Sequence, residues 1–182
     1  MLLMAVLRDS VVRGQKNPLH YALPLRLKQE LRLSGLTRTG LAQRAGISHP
    51  VVSALEARKS LTTVGIVAQL ASALGVSASW LSFGIGDRSP MENASCDGMG
   101  ERLKAMRTLR GHTRTALARL AQVSPGTVSH IEEGGQAKVN TLESLAQALG
   151  VSPGWLAFGV GPQVLCAPRR GRPPAQSSTP VG

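Results

Sequence analysis

Aromatic side chains are nearly absent. They make up 3% of the 182 residues, namely Tyr21, Trp80, Phe83, Trp155 and Phe158, so any core must be aliphatic. Cysteine is scarcer: Cys96 and Cys166 stand alone, with no CxxC and no Cys/His cluster. That spacing argues against a metal site, and no cofactor is expected. No stretch alternates apolar and polar residues for long, so no sheet is expected. Long apolar runs are missing too. The opening "MLLMAVL" lacks a basic flank before it and ends at Arg8 and Asp9. It is read as neither signal peptide nor membrane span, and a cytoplasmic chain is expected.

What is present is positive charge. The net charge is +11 and the pI about 11.2. Lysine supplies only Lys16, Lys28, Lys59, Lys104 and Lys138; arginine supplies the rest. The arginine fork donates in pairs and suits phosphate and guanine. The balance points to an anionic partner, nucleic acid first and an acidic membrane surface second. Apolar residues, at 42%, suffice for a packed core.

The chain also repeats itself. "TRTGLAQRAGISHPVVSALE", 37–56, returns as "TRTALARLAQVSPGTVSHIE", 113–132, and "LASALGVSASWLSFGIG" returns as "LAQALGVSPGWLAFGVG". Residues 25–56 align with 101–132 at an offset of 76, and 66–86 with 141–161 at 75. Such a duplication decides the architecture. The boundaries expected are an N-terminal extension 1–23, a first domain 24–86, a polar linker 87–100, a second domain 101–161, and a basic tail 162–182. The tail is rich in Pro, Ser and Arg and is expected to be disordered.

Each copy reads as five short helices, and the fold class is all-α. In the first copy Leu25, Leu27, Leu31 and Leu33 are placed on an amphipathic helix. Thr37 caps the second helix, with Leu41 and Ala45 inward. Gly46 turns the corner. Ser48 caps the third, whose first turn accommodates Pro50. A fourth helix from about Thr63 buries Ile66, Val67, Leu70 and Leu74 and stops at Gly75. Ser77 caps the short "ASWLSF". The Trp80/Phe83 and Trp155/Phe158 pairs are read as core closures.

Two helices joined by a tight turn can set the second in a DNA major groove. The turn needs small residues in the first helix (Ala42, Ala118), a residue tolerant of positive φ at the corner (Gly46), and aliphatic residues facing in (Val52, Leu55, Val128, Ile131). Both copies supply the helices. The second has Gln122 at the corner, at a cost of about 1 kcal/mol if φ stays positive. With these residues in place, both repeats resemble the lambda-repressor-like (Cro/CI, XRE) helix-turn-helix family, whose shape GLTxxxLAxxxGVSxxxISxxE followed by LxxLAxALGVSxxWL is legible in each. The resemblance covers roughly two-thirds of the chain.

The resemblance implies that Thr37 and Arg38, and Thr113 and Arg114, begin a helix whose N-terminus abuts a DNA phosphate. Arg44, Arg58, Lys59 and Arg119 join the expected phosphate set. The implied base-reading positions are Ser48, His49, Pro50, Val51, Ser53 and Ala54 in the first copy. In the second they are Ser124, Pro125, Gly126, Thr127, Ser129 and His130. Arg107 stands where the family has a first-helix arginine that pairs with Glu132. The first copy has Leu31 there, with Arg32 as a candidate partner for Glu56. In the tail, Arg170, Gly171, Arg172 and Pro173 resemble an AT-hook core, which lies in a narrow minor groove.

The function implied is sequence-specific binding of double-stranded DNA in transcriptional regulation, without catalysis. One chain carries both heads, a pseudo-dimer for an imperfect palindrome or a direct repeat. The second head presents fewer reading side chains and is expected to be the weaker. Residues 25–86 carry seven basic and two acidic side chains, 101–161 seven and four. The alternative is a protein-interaction or antitoxin-type module whose second repeat docks a protein partner.

Overall fold

The computed structural model describes residues 18–57, 62–90 and 96–164. Among them are ten α-helices, five per repeat. The first repeat holds α1 (Leu23–Ser34), α2 (Arg38–Ala45), α3 (His49–Glu56), α4 (Val64–Leu74) and α5 (Ala78–Phe83). The second holds α6 (Met99–Leu109), α7 (Arg114–Ala121), α8 (Pro125–Glu132), α9 (Val139–Leu149) and α10 (Pro153–Phe158). A 3-10 turn, Leu19–Ala22, precedes α1. No strand forms among the described residues, only an isolated bridge between Thr63 and Lys138. None of the described helices is long and apolar enough to cross a membrane.

Hydroxyl caps start most of these helices. Thr37, Thr63, Ser77, Thr113, Ser124 and Ser152 each accept the backbone N–H three residues on, satisfying donors the helix leaves open. Ser48 departs from expectation. It has the capping backbone, but its hydroxyl accepts nothing. The Val51 N–H donates to the Ser48 carbonyl alone, at 3.1 Å, whereas its counterpart, the Thr127 N–H, meets both the carbonyl and the hydroxyl of Ser124.

The four leucines expected on the first helix all lie on it, on two faces. Leu23, Leu27 and Leu31 are buried, at four-residue steps, whereas Leu25 and Leu33 are 59% and 62% exposed. At 100° per residue, positions 25 and 27 cannot share one face. On α4 the inward face is Val64, Val67, Leu70, Ala71 and Ala73, with Ile66 and Leu74 half-buried at its border. Phe83 and Phe158 are sealed in, as expected of core closures, while Trp80 and Trp155 are half-buried.

The two repeats are not separate beads. Their buried side chains form one cluster, and α5 lies against α10. About 60 residues make a marginal domain alone, so each half gains from the other. The contact has an approximate two-fold axis. Thr63 pairs with Lys138, its counterpart at the 75-residue offset. The bonds are reciprocal: Val64 N–H donates to the Ala137 carbonyl at 2.9 Å, and Val139 N–H to the Thr62 carbonyl at 3.0 Å. Ser79 meets Gly154, again its counterpart. Equivalent residues touch each other only where such an axis passes.

Arginine fastens α5 and α10 to the first helix of their own repeat. Arg26 donates to the carbonyls of Leu81 and Ser82 at 2.9 and 2.7 Å. Arg102 donates likewise to Leu156 and Ala157, at 3.0 and 2.9 Å. Burial lowers the pKa of both guanidinium groups, yet both remain cations at any ordinary pH. Structure also extends into the expected linker and N-terminal extension. Arg88 chelates buried Glu30 at 2.8 and 2.6 Å, and α6 begins at Met99. Leu23, the first residue of α1, is buried.

A Cβ at Gly154 would lie 2.1 Å from Ser79 Oγ and 3.1 Å from Ser79 Cβ. Gly154→Ala is therefore expected to destabilise the chain by about 1–3 kcal/mol through overpacking. Adding Ser79→Gly, which moves the missing Cβ to the other side of the contact, should recover part of the loss. A double-mutant cycle of thermal unfolding measures both; an additive cycle would show that the two positions do not share the contact.

Candidate nucleic-acid interface

In each repeat the second and third helices form the turn. Ala42 and Ala118 are buried where the helices meet. Val52 and Leu55, and Val128 and Ile131, face inward with almost no exposure. The corner is left-handed in both: Gly46 has φ 67° and Gln122 has φ 57°. Gln122 is the one non-glycine residue with positive φ among the described residues. The corner geometry thus survives loss of the glycine, at the expense of backbone strain.

The inward faces leave the first turn of α3 and of α8 to solvent. Ser48, His49 and Pro50 are exposed, and Val51, Ser53 and Ala54 half-buried. Ser124, Pro125, Gly126 and His130 are exposed, and Thr127 and Ser129 half-buried. The two sets differ in what they leave free. Ser124 Oγ accepts the Thr127 N–H at 3.1 Å and shares a proton with Thr127 Oγ1 at 2.8 Å. The His130 ring covers Gly135, where a Cβ would come within 2.3 Å of it. The Ser48 hydroxyl has no such bond.

The expected phosphate residues fall into groups. Thr37 and Thr113 cap α2 and α7, and Arg38 and Arg114 are their first residues. Both arginines turn Nε back on a glutamate. Arg38 bonds Glu56, and Arg114 bonds Glu132 at 2.7 Å. Their side chains remain 57% and 43% exposed. Arg38, not Arg32, is thus the partner of Glu56. In the second repeat Arg107 also holds Glu132, at 2.5 and 3.2 Å, as the resemblance implied. Sequence reasoning missed the cap arginine's second bond, although the shared spacing of Arg38–Glu56 and Arg114–Glu132 carried the signal. Arg44 lines a shallow hollow with Ala68, Gln69, Ser72 and Ala73 of α4. Arg119 is exposed and aligns with Gln43 instead. Arg58, Lys59 and the tail residues Arg170, Gly171, Arg172 and Pro173 lie outside the described residues.

Two exposed recognition turns on one chain, each braced by an arginine–glutamate pair, are the geometry a helix-turn-helix reader needs. A helix-turn-helix family model matches residues 27–81 and again 103–156. The chain belongs to the Cro/CI/XRE-type helix-turn-helix family. Helix-turn-helix chains of this family bind DNA in transcriptional regulation, and that role extends to this one. The matches begin inside α1 and α6 and end in α5 and α10. They therefore span both the turn and the helix that joins the halves. No solved structure matches the chain.

Two outcomes follow from this geometry. Gln122→Gly should raise stability by about 1 kcal/mol, or roughly 2–4 °C in Tm for a chain of this size. An unchanged or lower Tm would mean that the corner is not strained. The second outcome concerns acid. Burial alone would raise the Glu132 carboxyl, but Arg107 and Arg114 outweigh it and hold the pKa below the usual 4.5. Glu132 then stabilises the fold fully above that value, and the contribution is lost as pH falls through the lower folded pKa. Denaturant melts at successive pH values below about 4.5 should show the decline, with a shallower slope in Glu132→Gln.

Proposed function

We propose that the chain reads double-stranded DNA in the cytoplasm as a single-chain pseudo-dimer, with α3 and α8 in successive major grooves of an inverted, imperfect repeat. The observation that carries this is the approximate two-fold axis through Thr63/Lys138 and Ser79/Gly154. A two-fold relation favours inverted half-sites over direct repeats. The free Ser48 hydroxyl, His49 and Pro50 make the first head the stronger reader, with Val51, Ser53 and Ala54 at its edge. Ser124, Pro125, Gly126, Thr127, Ser129 and His130 make a weaker one, because Ser124 and Thr127 satisfy each other. Thr37, Arg38, Thr113 and Arg114 grip the flanking phosphates through the helix N-termini and the guanidinium edges not turned to glutamate. Arg119, Arg58 and Lys59 extend that grip, as does Arg44 where the backbone reaches it. The basic tail adds Arg170, Gly171, Arg172 and Pro173 as a minor-groove contact.

The tied hydroxyls and the packed His130 also favour a second reading, in which the second repeat docks a protein partner. Footprinting of a site selected from random DNA separates the two. The first reading expects one chain protecting two adjacent half-sites, with an affinity about 10²–10⁴ above that of one head. Changing Thr127 and His130 to Asp should then shrink the footprint to one half-site and forfeit most of that gain. Protection of the same DNA with the same affinity would give the second repeat to a protein partner.

A further inference from the structure

The contacts between equivalent residues lie on the approximate two-fold axis itself. Contacts on an axis fix its line but resist rotation about it weakly, since their lever arm is short. The angle between α3 and α8 depends on ties placed away from that line. Among the described residues the strongest such polar tie is a clasp at the start of the first repeat. Leu19 N–H donates to Glu143 Oε1 at 2.7 Å and His20 N–H to Glu143 Oε2 at 3.1 Å. His20 Nδ1 bonds the same Oε2 at 2.6 Å. Glu143 belongs to α9 of the other repeat and is 2% exposed. Arg26 completes the link, donating to the Leu19 carbonyl at 3.2 Å while holding α5 through Ser82.

The clasp has no twin among the described residues. The counterpart of Glu143 in the first repeat is Ala68, which offers no acceptor. Among the described residues, another off-axis polar tie joining the repeats is a single neutral bond, Gly65 N–H to Gln136 Oε1 at 3.3 Å. Three bonds on one buried carboxylate outweigh it, because hydrogen bonds to a charged acceptor are about twice as strong as neutral ones. Resting on the DNA-reading function above, we infer that Glu143 is a positioning residue: its clasp on Leu19 and His20 fixes the angle between the two heads and thereby the half-site spacing the protein accepts. One base pair of extra spacing moves a half-site by about 3.4 Å and turns it by about 35°, so a fixed angle becomes a spacing rule.

The test has two arms on the full chain. In the first, Lys28 and Lys104, exposed equivalents on α1 and α6, are changed to Cys for spin labels in a Cys96→Ser, Cys166→Ser background. Double electron–electron resonance then gives the distance between heads without DNA. Glu143→Ala is expected to broaden or shift that distribution. Glu143→Gln, which keeps one oxygen to accept one of the two N–H donors, should restore part of it. His20→Ala, which leaves Glu143 and its backbone donors in place, serves if Glu143→Ala does not fold. In the second arm, each variant is titrated against selected DNA with the half-sites at native spacing and one base pair apart from it. The variants should lose about tenfold of the wild-type discrimination, the worth of one charge-assisted bond, with affinity for a single half-site unchanged. An unchanged distance distribution in Glu143→Ala and His20→Ala overturns the inference, whatever the DNA shows. A wild-type chain that selects no DNA overturns the function on which the spacing rule rests, and the distance arm alone then decides the angular claim.

Discussion

Ser79 against Gly154 is the contact around which this molecule is arranged. A side chain of any size at position 154 would strike Ser79, so α5 and α10 approach closely only because one partner has no Cβ. That approach closes the single core and brings Thr63 and Lys138 into their bridge. It also makes the two recognition helices parts of one body. Without it the chain would be two marginal helical domains on a string, and the second would add only a local concentration to the first.

Within that body the two heads have settled one electrostatic problem differently. Each ends its recognition helix on a glutamate tucked beneath the cap of the preceding helix. In the second repeat the Glu132 side chain is out of contact with solvent and shared between Arg107 and Arg114. In the first, Leu31 occupies the place of Arg107, and Arg38 alone serves Glu56, which keeps 8% exposure. A carboxylate with slight access to water needs fewer cations than one with none. The same divergence appears elsewhere: the Arg88–Glu30 ion pair of the first repeat has as its counterpart Gln163 against the Met106 sulfur.

The features set by local chemistry were legible in the sequence. Hydroxyl caps at Thr37 and Ser77, the start of the fourth helix near Thr63, the corner at Gly46, and the inward Val52 and Leu55 each depend on residues within one or two helical turns. The alignment with Gly46 put Gln122 at the corner, and the structure supplies the positive φ that the sequence left conditional. The rest depended on geometry or on partners far along the chain. Leu25 and Leu33 share the amphipathic first helix with Leu27 and Leu31 but not its inner face, which angles and not leucine counts decide. Ser48 has the residue type and backbone of a cap, yet its hydroxyl makes no cap bond. Glu143 meets Leu19 and His20 across more than 120 residues, and nothing near it in sequence marks it as anything but a surface glutamate on a helix. The axis itself could not be read from the repeat, since a duplication says that two units exist and not how they face.

The Ser79–Gly154 pair also bears on descent. In an assembly of identical subunits every residue on a two-fold axis meets itself, so position 79 would have to be serine against serine or glycine against glycine. The first leaves no room, and the second leaves a void. Fusion into one gene removed that bond between the copies: each side of the axis could mutate alone, and an unlike pair became available that no homodimer can hold. Ala68 opposite the role of Glu143 is a second such choice. The change is hard to reverse. Neither half could now be exchanged for a duplicate of the other, and a chain that began as a repetition has become a single unit that inherits, mutates and fails as one.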